Sequence, residues 1–182
     1  KVRRVNQDTA LVLAGRHPRE TDFLAATVCD GLGGLENGDE AAILAAAAAG
    51  AVLTSHDHLE PTPRMHLAIR MANAAVFQRF RGRAASVIVS VLTMGSDVVI
   101  GWLGDARIYG LTARRNITLL TQDDTVAGAI AALEGSAPDA MDTLLQAVGQ
   151  SEDVEPHVLS LTEAFRSLLL VTDGAHPIDA TA

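Results

Sequence analysis

Aromatic residues make up only 3% of this 182-residue sequence although 48% of it is hydrophobic, so its core must be built from Ala, Val, Leu and Ile. Cysteine is almost missing as well. Cys29 stands alone, which excludes an intramolecular disulfide and a cysteine-rich zinc site and makes a cytoplasmic compartment the default. Its place in an apolar run predicts a small buried hydrophobe. No apolar run free of charge reaches the roughly 18 residues that a bilayer span needs. The best stretch, 41–55, is short and dominated by alanine. A soluble protein with no membrane partner is expected. Basic residues are outnumbered, 14 Lys and Arg against 22 Asp and Glu, and the net charge of −8 argues against nucleic acid as a partner. An acidic balance suits cations.

Several catalytic signatures are absent too. Gly31, Gly33 and Gly34 do not fit G-x-G-x-x-G, and no Gly-Lys-Ser/Thr follows them. Glu36, Asp39 and Glu40 would set negative charge where a phosphate needs positive charge, and they suit the start of a helix better. His17, His56, His58, His66, His157 and His176 show neither His-x3-His nor His-Glu-x-x-His spacing, which disfavours a zinc hydrolase. His56-Asp57-His58 reads as a solvated turn. No Gly-x-Ser-x-Gly elbow occurs.

What is present is a repeated device. The run Phe23 to Cys29 ends on Asp30 and then Gly31-Leu32-Gly33-Gly34. An apolar strand that stops on Asp and turns on Gly places a hard oxygen ligand at a sheet rim, with backbone free to approach closely. One Asp-Gly is an ordinary turn signal. The chain repeats it, however, in Leu168 to Gly174, where Asp173 follows an apolar run, and in Val98 to Asp105, which ends in Gly-Asp. With Asp8, these carboxylates point to one acidic site of oxygen donors, which selects Mg²⁺ or Mn²⁺ over softer metals.

Length fits a single domain, 1–182. Strands are expected over Thr9–Leu13 and Phe23–Cys29 as a hairpin, then a helix from Asn37 or Asp39 to about Ser55 and a second from Pro63 to about Phe80. Strands Ala85–Met94 and Val98–Leu103 follow, then Arg107–Leu111 and Ile117–Leu120, joined by short turns. Weaker helices over Thr125–Leu133 and Asp139–Val148 precede a last pair of strands, Glu155–Leu161 and Ser167–Thr172. Consecutive strands with short turns pair antiparallel, so α+β layers are expected instead of a Rossmann fold.

These residues resemble the metal-dependent protein serine/threonine phosphatases of type 2C, the PPM family, in their bacterial form. Arg3-x-x-Asn6-Gln7-Asp8 is similar to the family's opening motif, and Asp30-Gly31-Leu32-Gly33-Gly34 to its Asp-Gly-x-Gly-Gly. Gly104-Asp105-Ala106-Arg107 is similar to its Gly-Asp-Ser-Arg, and Thr172-Asp173-Gly174 to its Ser-Asp-Gly. Leu120-Thr121-Gln122-Asp123 and Ala147-Val148-Gly149 agree as softer features, and the motifs keep the family's order across essentially the whole chain.

The resemblance implies a layered α-β-β-α sandwich of two antiparallel sheets flanked by helix pairs. It implies two or three Mn²⁺ or Mg²⁺ ions, with Asp30 bridging two of them and the Gly31 carbonyl on one. Asp173 would ligate the first ion and, with Asp105, help hold a third, while Asp8 and Gln7 orient metal-bound waters. Arg3 would grip the substrate phosphate as a bidentate fork. A metal-bridging water would then attack phosphorus in line. The substrate implied is a phosphoserine or phosphothreonine protein, opposing a serine/threonine kinase, and a monomeric cytoplasmic enzyme is expected. Gln7 stands where many members carry Glu, and Ala106 replaces the usual Ser. The chain opens on Lys1 without an initiator Met and ends at Ala182, before the family's final Asp-Asn pair, so a domain truncated at its C-terminal end is expected. That ending and Gln7 support an alternative, a catalytically inactive binding or regulatory module of the same fold. A cation-dependent hydrolase of small phosphate esters is a third reading.

Overall fold

The structure, a computed structural model, describes residues 6–16, 22–32, 37–55, 58–134 and 143–175. Among these, strands β1 (Asp8–Arg16) and β2 (Asp22–Gly31) lead into helices α1 (Gly38–Ser55) and α2 (Pro61–Phe80). Strands β3 (Ser86–Met94), β4 (Asp97–Leu103), β5 (Arg107–Leu111) and β6 (Ile117–Leu119) follow, then helix α3 (Val126–Glu134) and strands β7 (His157–Ser160) and β8 (Ser167–Val171). They form a five-stranded sheet in the order β1-β2-β3-β4-β7 and a three-stranded sheet in the order β6-β5-β8, and every pairing is antiparallel. The expected α+β architecture of two antiparallel sheets is therefore present.

Period-two alternation splits the five-stranded sheet into two faces. On one, Cys29, Ile88, Leu92, Val99 and Leu103 pack beneath α1 and α2. On the other, Val87, Val89, Val91, Ile100 and Trp102 meet Ala106 and Ile108, with Leu168 and Leu170 of the second sheet packed against them. Both faces of β3 are buried, which is why its sequence, Ser-Val-Ile-Val-Ser-Val-Leu, reads as nearly continuous hydrophobe. Its two buried hydroxyls are satisfied. Ser90 bonds the hydroxyl of Thr27 directly opposite at 2.9 Å, and Ser86 donates to the Asp30 carbonyl at 2.9 Å.

Alanine does more in α1 than favour a helix. Ala41, Ala42, Ala45, Ala46 and Ala49 are all buried, so the helix presents a small-residue stripe and can lie close upon the strands. Gly50 completes the approach, for a β-carbon there would press on the Leu11 side chain. Helix α2 begins with Pro at its first turn and ends where Arg81 adopts a left-handed φ of 53°, its N–H donating to the Phe77 carbonyl at 2.7 Å.

Two expectations are corrected. The helix predicted over Asp139–Val148 is not formed in its described part. There Leu144 bridges to Thr125 and Val148 to Ser86, so tertiary backbone bonds replace a helical ladder, while residues 139–142 lie outside the described set. The last two strands also do not pair with each other: β7 joins β4, and β8 joins β5 in the other sheet. Among the described residues no helix is long and apolar enough to cross a membrane.

The Cys29 side chain is fully buried, and burial pushes its thiol well above the usual range, against a smaller opposing effect of a hydrogen bond with Ser86. The thiolate is the reactive form. Cys29 should therefore resist a thiol-disulfide reagent at pH 8 in the folded protein and react promptly in 6 M guanidinium chloride; fast labelling under native conditions would contradict its place in the core.

Candidate active site

Antiparallel register sets the first two acids side by side. Asp8 opens β1 directly opposite Asp30 in β2, and directly opposed residues share a face of the sheet. That face is the inter-sheet one, since Val28, two residues earlier in β2, packs against the cluster between the sheets. Asp30 is 5% exposed, whereas Asp8 is open to solvent. Asn6 steadies the approach by accepting the Asp8 N–H at 3.0 Å, and the Gln7 carbonyl accepts the Gly31 N–H at 3.1 Å.

The glycine after Asp30 is required by packing. A β-carbon on Gly31 would collide with the carbonyl of Gly38, the first residue of α1. One on Gly38 would stand 2.7 Å from the Gln7 Nε2, so the Gln7 side chain lies in the notch between the strand end and the helix start. Close backbone approach is thus built in beside Asp30.

The row continues across the sheet. Asp30 faces Val87 of β3, and Val87 in turn packs where a β-carbon on Gly104 would have to sit. At Gly104, with φ of 104°, the chain leaves β4 and crosses to the second sheet as β5, presenting Asp105 in the crossing. Asp173 follows β8. Arg107, the first residue of β5, lies opposite Val171, the last of β8, so Asp105, two residues before the one, and Asp173, two residues after the other, extend from the same end of that pair. Asp105 is partly buried and Asp173 exposed. All four acids therefore lie at the same end of the sandwich.

A strap formed by residues 121–125 clamps the crossing. The Thr121 hydroxyl accepts the Ile108 N–H at 3.2 Å, and the Gln122 carbonyl accepts the Trp102 Nε1–H at 2.8 Å. Asp123 takes a bidentate fork from Arg107, Nε to Oδ1 at 2.9 Å and Nη2 to Oδ2 at 2.6 Å. This bond raises the Arg107 guanidinium still further above its ordinary range, so it stays charged. Asp124 accepts the Gly104 N–H at 2.9 Å. The sequence flagged Leu120 to Asp123 only as a soft likeness and His157 only as one of six histidines without zinc-ligand spacing, and it did not single out Asp124; their role depends on contacts far apart in the chain.

The solved structures decide what this architecture is. Serine/threonine phosphatase Stp1 from Staphylococcus aureus superposes with a TM-score of 0.77 at 20% identity, covering 94% of this chain and 72% of that one. The chain has the fold of the bacterial type 2C serine/threonine phosphatases. A complex of the PstP catalytic domain with two manganese ions matches at TM-score 0.68 and 24% identity, over 88% of this chain and 67% of that one. A Stage II Sporulation E family protein from Thermanaerovibrio acidaminovorans matches at 0.69 and 23%, over 91% and 80%. No family model and no curated protein matches the sequence.

Measured against that fold, Asp8, Asp30, Asp105, Asp173, Gln7 and Gly31 all fall at one end of the sheets, while Arg3 lies outside the described residues. Among the described residues no three His, Cys, Asp or Glu side chains stand close enough together to hold a metal. The donor chemistry nonetheless fits a hard cation: carboxylates at strand ends, beside a glycine notch that a β-carbon would fill.

Gly104→Ala should destabilise the protein by about 2–4 kcal/mol, since it combines a left-handed φ with a collision against Val87. Urea unfolding followed by circular dichroism measures this, and a loss below about 0.5 kcal/mol, the range of ordinary surface changes, would contradict the packing described.

Proposed function

We propose that this chain is a metal-dependent protein phosphatase acting on phosphoserine and phosphothreonine. One observation carries the reading: in a bacterial type 2C fold, Asp8 with Asp30 and Asp105 with Asp173 leave their strands at the same end of the sandwich. Mn²⁺ or Mg²⁺, two or three ions, would be held by Asp30, the Gly31 carbonyl, Asp105 and Asp173, with Asp8 and Gln7 beside them, and would supply positive charge and an activated water at neutral pH.

The chain's own residues have separable tasks in this reading. Asp30, buried at the rim, offers a carboxylate whose position is fixed by pairing on both sides, to β1 and to β3. Asp8, exposed and directly opposite, is placed to accept a proton or orient a water. Gln7, neutral and lodged against Gly38, keeps one negative charge out of the site. Arg3 would bind two phosphate oxygens at once and stabilise the charge that builds on them. A phosphoprotein substrate opposed to a serine/threonine kinase, a monomeric state and a cytoplasmic location belong to the same proposal.

A second reading, an inactive module of the same fold, draws on the spacing of the acids, no three of which stand together among the described residues. Activity separates the two. Hydrolysis of a phosphothreonine peptide is expected in millimolar Mn²⁺ or Mg²⁺ and should vanish with excess chelator; turnover undiminished by chelator would refute the metal mechanism, and no turnover at any metal concentration would favour the module. Asp30→Asn should lower kcat/KM on the order of a thousandfold, the loss of a charge aimed at the reacting centre. Arg3→Ala should cost about a hundredfold, and an unchanged kcat/KM would assign Arg3 to the surface.

A further inference from the structure

We propose that Asp124 is a positioning residue for Asp105, anchored in turn by His157. The inference rests on the reading of Asp105 as a metal-site carboxylate. Asp124 holds the peptide groups of Gly104 from both ends: its Oδ2 accepts the Gly104 N–H at 2.9 Å, and its own N–H donates to the Gly104 carbonyl at 2.9 Å. The other carboxylate oxygen, Oδ1, lies 2.7 Å from the Nε2 of His157. His157 is fixed from a third side. It sits opposite Trp102 in the β4–β7 ladder, and its ring stacks on the indole with centroids 5.0 Å apart and planes inclined by 18°.

Glycine at φ of 104° is the residue with the greatest backbone freedom, and it stands immediately before Asp105. Something outside the strand must therefore fix the direction in which the chain leaves β4. The buried carboxylate does so with a charge-assisted bond to the amide, stronger than a neutral acceptor would give. Such a bond is costly to place in the interior unless both oxygens are used, and both are. Metal carboxylates depend on groups that orient them from behind, and loss of such a group typically lowers metal affinity by about 10- to 100-fold. Asp124 is proposed in that capacity, acting through the Gly104 backbone without contact with a metal or substrate.

The test uses the full chain and Mn²⁺ alone as the probe, in calorimetric titration, with amide hydrogen exchange at Gly104 and Asp105 as a readout independent of metal and activity. Four variants are compared: Asp124→Ala, His157→Ala, Asp105→Asn, and Ser160→Ala, which removes the 2.9 Å bond to Thr62 at the other end of β7. Asp124→Ala is expected to speed exchange at Gly104 and to weaken Mn²⁺ binding about tenfold. His157→Ala, at a half-exposed position that tolerates truncation, should do the same about threefold, a smaller effect of the same kind. Ser160→Ala should change neither, which separates positioning from general loosening of β7. Asp124→Ala and His157→Ala with native exchange at Gly104 and native Mn²⁺ affinity, while Asp105→Asn binds weakly, would overturn the positioning role alone. Should Asp124→Ala not fold, the His157→Ala result decides by itself. If Asp105→Asn binds Mn²⁺ as the parent does, the metal reading of Asp105 fails, and the proposal falls with it even if exchange at Gly104 is faster.

Discussion

A β-carbon on Gly104 would overlap the side chain of Val87, and the backbone there has a φ of 104°, so packing and conformation both demand glycine where β4 ends and the chain crosses to the second sheet. The constraint is central because it sits between the two halves of the acid end. On one side Val87 is paired to Asp30, which is paired to Asp8. On the other side Gly104 leads to Asp105 just before β5, at the end where Asp173 follows β8. If the crossing were displaced, the two sheets would no longer bring their carboxylates to one rim.

The energetic work of holding that crossing is divided. Apolar packing between the sheets, through Val89, Val91, Ile100, Trp102, Ile108 and their partners, fixes the separation of the layers but says little about direction, since the hydrophobic effect is not directional. Direction comes from polar groups. The bidentate Arg107–Asp123 pair, the Thr121 hydroxyl on the Ile108 amide and the Asp124 carboxylate on the Gly104 amide each fix one peptide or side chain of the crossing. Each is partly or fully buried, where a hydrogen bond left unmade is expensive, so together they favour one geometry over near neighbours.

The alanine-rich character of the chain is tied to the same end. With few aromatic residues to fill space, α1 must come close to the sheet, and its stripe of five buried alanines with Gly50 allows this. The close approach also seats the start of α1 against the strand ends, where Gly38 touches Gly31 and Gln7. The small-residue composition thus helps to build the notch beside Asp30.

Much of this was legible in the sequence, and the reason is local. Alternating or continuous apolar runs ended by Asp-Gly marked β2 and β8, one ended by Gly-Asp marked β4, and a helical period marked α2, because strand pleat and helix turn impose their periods on whatever faces the core. Asp30, Asp105 and Asp173 were found because each closes an apolar run, and Asp8 stood out in the likeness of Arg3-x-x-Asn6-Gln7-Asp8 to the family's opening motif. What the sequence could not decide was which strands pair. Glu155–Leu161 and Ser167–Thr172 look alike as neighbouring strands, yet β7 and β8 enter different sheets, a choice made by the partners that β4 and β5 offer. Residues 143–148, expected within a helix, are not helical because Ser86, Asp124 and Val126 supply their backbone with bonds from elsewhere. Asp124 and His157 lie 33 residues apart and carry no local pattern, so only the folded chain, which puts their side chains 2.7 Å apart against Gly104, gives them a role. Local periodicity is written in every few residues; long-range pairing depends on competition among distant partners, which three-dimensional packing alone resolves.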